Sequence, residues 1–186
     1  MANQPGNKTQ YAILGALSIQ PMSGYEMKKM MADSTNYFWT ESNGQLYPTL
    51  AKLAKAKLVT IENQMIGAKS RKIYSLTPIG KKKLRQWLTE DVEYYPRRNE
   101  LLLKLFYGQS VAPKISINHI QKYHAKCEAA LQIYLSIEAR LEEMVKKKKQ
   151  PVYFLLTVKA GVKHAKTELE WCHEAIQLIN KYEIKK

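Results

Sequence analysis

Residues 42–57 read SNGQLYPTLAKLAKAK, and residues 58–76 follow as LVTIENQMIGAKSRKIYSL. The first segment opens on Ser42, with Gln45 three residues on, the spacing of a capping box. Leu46, Leu50 and Leu53 then recur at helical intervals, which predicts a helix running to about Lys57. Its other face presents Gln45, Tyr47, Thr49 and Lys52, and Pro48 is expected in the first turn, where a missing N–H costs little. In the second segment the period changes. Leu58–Ile66 and Lys72–Leu76 are rich in β-branched and aromatic residues, and Gly67–Arg71 separates them, so the pair reads as a hairpin with a basic tip.

The flanks complete the pattern. Upstream, Tyr11–Ile19 (YAILGALSI) is a compact apolar run that predicts a buried helix, with Gly15 allowing a neighbour to pack closely. Ser23 and Glu26 form a second capping box, with Pro21 just outside, and predict a helix over 24–33 with Met27, Met30 and Met31 inward. Downstream, Thr77-Pro78 supplies an N-cap and a first-turn proline for a helix to Leu88. Residues 10–90 therefore read helix, helix, helix, hairpin, helix, the order of a winged helix-turn-helix.

Beyond residue 90 the pattern is all helical. Residues 100–107 (ELLLKLFY) suggest a short helix ending near Gly108. After Pro113, Ile120, Tyr123, Cys127, Ala130, Tyr134, Ile137, Leu141 and Met144 step by threes and fours up to a run of lysines at 146–149. After Pro151, Leu155, Val158, Val162, Ala165, Leu169, Cys172, Ile176 and Ile179 do the same. Two such helices form an antiparallel pair. Alone they leave shoulder residues such as Leu131, Leu135 and Trp171 uncovered, and a second copy of the chain is the simplest cover. The expected dimerisation residues are Ile120, Tyr123, Cys127, Tyr134, Leu141, Leu155, Val162, Leu169, Trp171 and Ile176. The fold class is thus mainly α with a small β-hairpin: a winged helix-turn-helix domain over 1–90 and a long-helix dimerisation domain over 91–186.

Composition narrows the function. The 186 residues carry 30 Lys and Arg against 16 Asp and Glu, a formal net charge of +14. That excess points to a polyanion, nucleic acid before a membrane surface. It is spread over both halves: residues 1–90 hold 13 Lys and Arg against 5 Asp and Glu. No apolar run approaches the ~20 residues of a membrane span. The polar N-terminus has no signal-peptide core, and the two cysteines, Cys127 and Cys172, fit neither a disulfide framework nor a metal spacing, so a cytoplasmic setting is expected. The four histidines all fall after residue 113, and His119 and His124 are five apart rather than the four of a zinc-binding helix. No nucleophile elbow or phosphate-binding glycine loop is present, so no catalysis, metal or cofactor is expected.

The second helix of a helix-turn-helix enters the major groove by its N-terminal residues. Here those are Ser42, Asn43, Gln45, Tyr47 and Thr49. Asn and Gln bond adenine bidentately, and Ser and Tyr bond phosphates; Ser42 and Gln45 serve equally well as a capping pair. Lys69, Arg71 and Lys72 suit a wing on the DNA backbone or minor groove, or a solvated loop. A basic helical oligomerisation module or an RNA-binding module explains the charge, but not the hairpin beside two capped helices.

The segments YAILGAL (11–17), SGYEMKK (23–29), the region of Trp39, QLYPTLAKLAKAKLV (45–59) and KIYSLTPIGKKKLRQWL (72–88) together resemble the PadR family of transcriptional regulators, in the family's order. The C-terminal helical half, with Trp171 near its end, is similar to the longer subfamily that includes the phenolic-acid-responsive regulator. One departure is Ala56-Lys57, where many relatives carry Glu-Gly: it adds charge and removes a glycine helix stop. The resemblance implies a homodimeric repressor bound to palindromic double-stranded DNA and released by a small aromatic effector such as a phenolic acid, or else a regulator of a drug-efflux or stress gene without a phenolic-acid response. It also implies DNA contacts at Tyr47 and Thr49 and a phosphate contact at Tyr25. The aromatic surplus, 12 Tyr and 3 Trp, offers Tyr11, Tyr153 and Trp171 as effector-binding candidates.

Overall fold

The structure, a computed structural model, describes residues 8–35, 38–39, 43–66, 69–93, 98–147 and 152–184. The chain divides into two compact units, Met1–Tyr94 and Tyr95–Lys186.

The first unit is built around one core. Helix α1 (Thr9–Ile19) buries Ile13, Leu14, Ala16 and Leu17. A two-residue strand, β1 (Met22–Ser23), leads into α2 (Gly24–Ala32). The capping box at α2 is formed as the sequence predicts: Glu26 N–H donates to the Ser23 hydroxyl at 3.2 Å, and Ser23 N–H donates to Glu26 Oε2 at 2.9 Å. Met27 and Met31 turn inward. Helix α3 (Asn43–Lys55) buries Leu46, Leu50 and Leu53. Because α3 already begins at Asn43, Pro48 lies in its second turn rather than its first, where it removes the donor that Gly44's carbonyl would otherwise meet.

Helix α3 stops without a glycine. Lys57 N–H donates to the Ala54 carbonyl at 2.9 Å and Leu58 N–H to the Leu53 carbonyl at 3.0 Å, the paired bonds of a Schellman motif. Lys57 therefore carries the left-handed conformation, φ 57°, that glycine normally supplies there. Buried Leu53 and Leu58 sit at the two ends of the longer of these bonds.

Strands β2 (Val59–Ile66) and β3 (Lys69–Leu76) form an antiparallel hairpin whose register runs from Val59↔Leu76 to Ile66↔Lys69. The two segments pair further out than the sequence suggests. Lys69, Arg71 and Lys72 are strand residues, not parts of a five-residue tip, and only positions 67 and 68 lie between the strands. Strand β1 pairs with β3 on its other side, Met22↔Tyr74 and Ser23↔Ile73, giving the order β1-β3-β2. Strand β1 has no signature in sequence, because two residues next to a helix cap show no alternation.

Helix α4 (Pro78–Leu88) is capped by Thr77, whose hydroxyl accepts from Gly80 N–H at 3.0 Å. A Cβ at Gly80 would fall 2.1 Å from the Leu58 carbonyl oxygen, so the bare glycine is what lets α4 start against the end of α3. Gly15 has no such role: a Cβ there meets nothing within 4 Å, and the tight approaches are at Gly80 and Gly24 instead.

The second unit is helical throughout its described residues. Helix α5 (Glu100–Phe106), capped by the Asn99 side chain, leads through a 3-10 turn (Gly108–Ser110) into α6 (Pro113–Lys147). Helix α7 (Val152–Ile179) runs back along α6 and ends in a π-helical turn (Asn180–Ile184). The threes-and-fours stripes meet inside this antiparallel pair. Ile120, Cys127, Leu141, Val162 and Cys172 are buried in the single chain. The Tyr123 ring lies edge-on to Trp171 with its hydroxyl donating to Glu168 at 3.1 Å, and Tyr134 packs where Gly161 has no side chain. Among the described residues no helix is long and apolar enough to cross a membrane.

Candidate nucleic-acid interface

The site assembles where the start of α3, the start of α2 and the tip-side half of β3 come together. Gly24 is the first residue of α2, and a Cβ on it would sit 2.7 Å from Tyr47 Cε1. The Tyr47 ring on α3 therefore rests directly on the α2 backbone. It remains 55% exposed, and Tyr25 next to Gly24 is 69% exposed. Two tyrosines thus stand outward beside the N-terminal N–H groups of α2, the end of a helix that favours an anion. Lys52, five residues further along α3, is also exposed.

Arg71 ties the hairpin to this place. Its guanidinium donates to the Ser23 hydroxyl at 2.7 Å and pairs with Glu26 at 2.9 Å. The Ser23 hydroxyl is saturated, since it accepts from Arg71 and from Glu26 N–H and donates to Glu26 Oε2 at 3.0 Å. The Ser23 backbone N–H first, and then the Ser23 hydroxyl and the Arg71 charge, hold the Glu26 carboxyl below the ordinary glutamate range. Arg71 is thus a neutralised strut, whereas Lys72 beside it is exposed.

The other expected contacts fall in different places. Thr49 is only 4% exposed: it lies on the same stripe as Leu46, Leu50 and Leu53 and belongs to the core, so its assignment to the DNA-facing side is corrected here. Gln45 is exposed, and its carbonyl accepts from the Thr9 hydroxyl of α1 at 3.2 Å. Ser42 lies outside the described residues, as do the side chains of Asn43 and Lys69.

The effector candidates are also separated. Tyr11 stacks on Trp87 of α4, centroids 4.5 Å apart and planes 7° from parallel, beside a cleft of about 290 Å³ that Lys82 and Lys83 also line. Tyr153 is exposed at the start of α7, and Trp171 is engaged with Tyr123. Of the expected dimerisation residues, Ile120, Cys127, Leu141 and Val162 are already covered by their own chain, so they build the α6–α7 pair rather than a surface for a partner. The exposed apolar side chains of this unit are instead Leu102, Leu103, Phe106, Tyr153, Phe154 and Leu156, among others.

Residues 13–86 match the transcriptional regulator PadR-like family, and residues 97–180 match the C-terminal region of virulence activator alpha. Over residues 13–86 the chain belongs to the PadR-like family of transcriptional regulators. This is a family of regulators, not enzymes. The negative transcriptional regulator PadR of Bacillus subtilis is 27% identical over 181 residues, covering 92% of this chain and 97% of its own. The crystal structure of B. subtilis PadR in complex with operator DNA superposes with a TM-score of 0.86 at 24% identity, covering 95% of this chain and 99% of that one. The same protein in complex with p-coumaric acid gives a TM-score of 0.75 at 23% identity, covering 96% and 99%. The mostly helical PadR-like fold with a small three-stranded sheet is therefore the fold of this chain.

The residues that sequence reading missed are those whose partners lie far along the chain. Arg71 meets Ser23 across 48 positions and Thr9 meets Gln45 across 36. Gly24 carried a visible signal, since a glycine at the first position of a capped helix is unusual where better helix formers are available.

Proposed function

We propose that this chain is a repressor that binds an inverted-repeat operator in double-stranded DNA as a homodimer and is released by a small aromatic acid. The observation that carries the DNA reading is the outward pair Tyr25 and Tyr47 at the start of α2, with Lys52 also exposed on α3. In a helix-turn-helix this is the side that faces the duplex, with α3 in the major groove and phosphates at the α2 N-terminus. Lys72 extends the basic surface onto the wing. Gln45 and Asn43 stand at the groove-entering end of α3 and suit adenine. The complex of B. subtilis PadR with operator DNA supports this assignment.

The domain over 1–90 reads DNA, and the domain over 91–186 dimerises. Large apolar side chains exposed at two places, on α5 and at the start of α7, support a second copy as their cover. The effector reading rests on the cleft lined by Tyr11, Leu58, Ile79, Lys82 and Lys83, an apolar wall whose two cations outnumber the one carboxylate, Glu90, and suit an aromatic carboxylate. The p-coumaric acid complex of B. subtilis PadR is in keeping with it. A regulator of this kind acts in the cytoplasm.

The test is a gel shift on the gene's own upstream region at fixed salt, with sedimentation of the free protein. The expected result is a discrete complex that outcompetes random DNA, formed by a dimer and dissolved by a phenolic acid. Equal affinity for random DNA or for RNA overturns the operator reading. A monomer overturns the dimer, and a complex that persists across a set of small aromatic acids overturns the effector.

A further inference from the structure

Two of the four histidines meet across the α6–α7 pair. His124 Nε2 and His173 Nε2 are 3.3 Å apart, with ring centroids 4.8 Å apart and planes at 73°. Without a ligand, two neutral imidazoles at this separation share one hydrogen bond. Two imidazole nitrogens bound at 2.0–2.1 Å to one ion, at the tetrahedral angle, lie about 3.3–3.4 Å apart. The observed separation is therefore already that of two ligands to a shared ion. The centroids are also closer than imidazoles pointing straight at each other allow, so at least one ring is turned off the Nε2···Nε2 line.

The setting favours a cation even though the chain as a whole is strongly basic. Each histidine stands on a long helix, of 35 and 28 residues, so the pair is held by rigid elements. Glu128 is four residues after His124 on α6, and Glu170 is three residues before His173 on α7. Because the helices are antiparallel, both carboxylates fall one turn from the pair toward the same end. Lys122 and Lys126 lie two residues to either side of His124, on the far side of α6. The nearest thiols do not compete: Cys127 and Cys172 are buried in the helix interface. Among the described residues no third His, Cys, Asp or Glu completes a ligand cluster, so an ion held here would take water at its remaining positions.

We propose that His124 and His173 form a binding site for one borderline divalent transition-metal ion, zinc or copper(II), that clips α6 to α7. Imidazole is a ligand of choice for both ions. Since the two ligands come from different helices, a bound ion stabilises the pair by linkage.

The experiment is calorimetric titration of untagged, chelator-treated full-length protein with zinc chloride and, separately, copper(II) chloride. One ion per chain is expected, copper binding tighter than zinc. His124→Gln and His173→Gln should each weaken binding by at least ~10-fold, since losing a ligand costs more than losing a ligand's hydrogen-bonding partner. His119→Gln, His164→Gln and the Cys127→Ser/Cys172→Ser double variant should bind as the wild type does. Zinc should raise the unfolding midpoint of the wild type and leave that of His173→Gln unmoved. In the wild type, zinc should shift the imidazole NMR signals of His124 and His173 alone, a readout that needs no variant to fold. Uptake no greater than that of the His124→Gln/His173→Gln double variant, or zinc shifts confined to other residues, overturns the site.

Discussion

Arg71 of β3 reaches to the first turn of α2, its guanidinium 2.7 Å from the Ser23 hydroxyl and 2.9 Å from the Glu26 carboxylate. One side chain thus joins the wing to the helix whose N-terminus supports Tyr25 and Tyr47. Its charge is spent on Glu26, so its role on this surface is to hold two elements in register.

The cap should respond to acid in a definite direction. Glu26 has its carboxyl lowered in the folded state, so the contribution of its charge is complete above the unfolded glutamate pKa and is lost as pH falls through the lower folded value. The stability gap between wild type and Glu26→Gln should be level from about pH 6 to 8 and close below about pH 4. Urea midpoints across that range measure it. Ser23→Ala, which removes the N-cap oxygen itself, should cost about 1 kcal/mol at neutral pH.

The strut and the exposed lysine should separate in salt titrations. Lys72→Ala should reduce the slope of log K against log salt by about 1, as expected for one lost phosphate contact. Removing both charges of the strut together, Arg71→Gln with Glu26→Gln, should leave the slope unchanged. A drop of about 1 in that double variant would show that Arg71 itself neutralises a phosphate.

Gly24 should matter to DNA more than to stability. Gly24→Ala sets a Cβ against the outer edge of the Tyr47 ring, which can swing aside, so the unfolding midpoint should stay near that of the wild type. Operator affinity should fall because the ring no longer stands on α2. In a Tyr47→Ala background the same substitution should have no further effect, and anisotropy titrations of the four proteins in this cycle give the coupling.

Lys57 is a site of stored strain. A non-glycine residue in the left-handed region costs roughly 1–2 kcal/mol, part of which glycine's larger unfolded-state entropy takes back. Lys57→Gly should therefore stabilise the chain by about 0.5–1 kcal/mol, read as a higher urea midpoint at unchanged slope. DNA affinity should change only by the loss of one exposed charge.

The sequence by itself determined the order of elements and the inward stripes. Capping boxes, Thr77-Pro78 and threes-and-fours spacing are local statements about which backbone groups need partners and which faces shed water, and residues a few positions apart settle them. Met27, Leu50, Ile120 and Val162 are buried where that spacing puts them. The tertiary structure decided everything that depends on a distant partner. It began β3 three residues earlier, turned Thr49 into the core, and spent the charge of Arg71 on Glu26. It stacked Tyr11 on Trp87 and brought His124 to His173 across 49 positions. Spacing along a chain fixes which face a side chain occupies, and only packing fixes what that face meets.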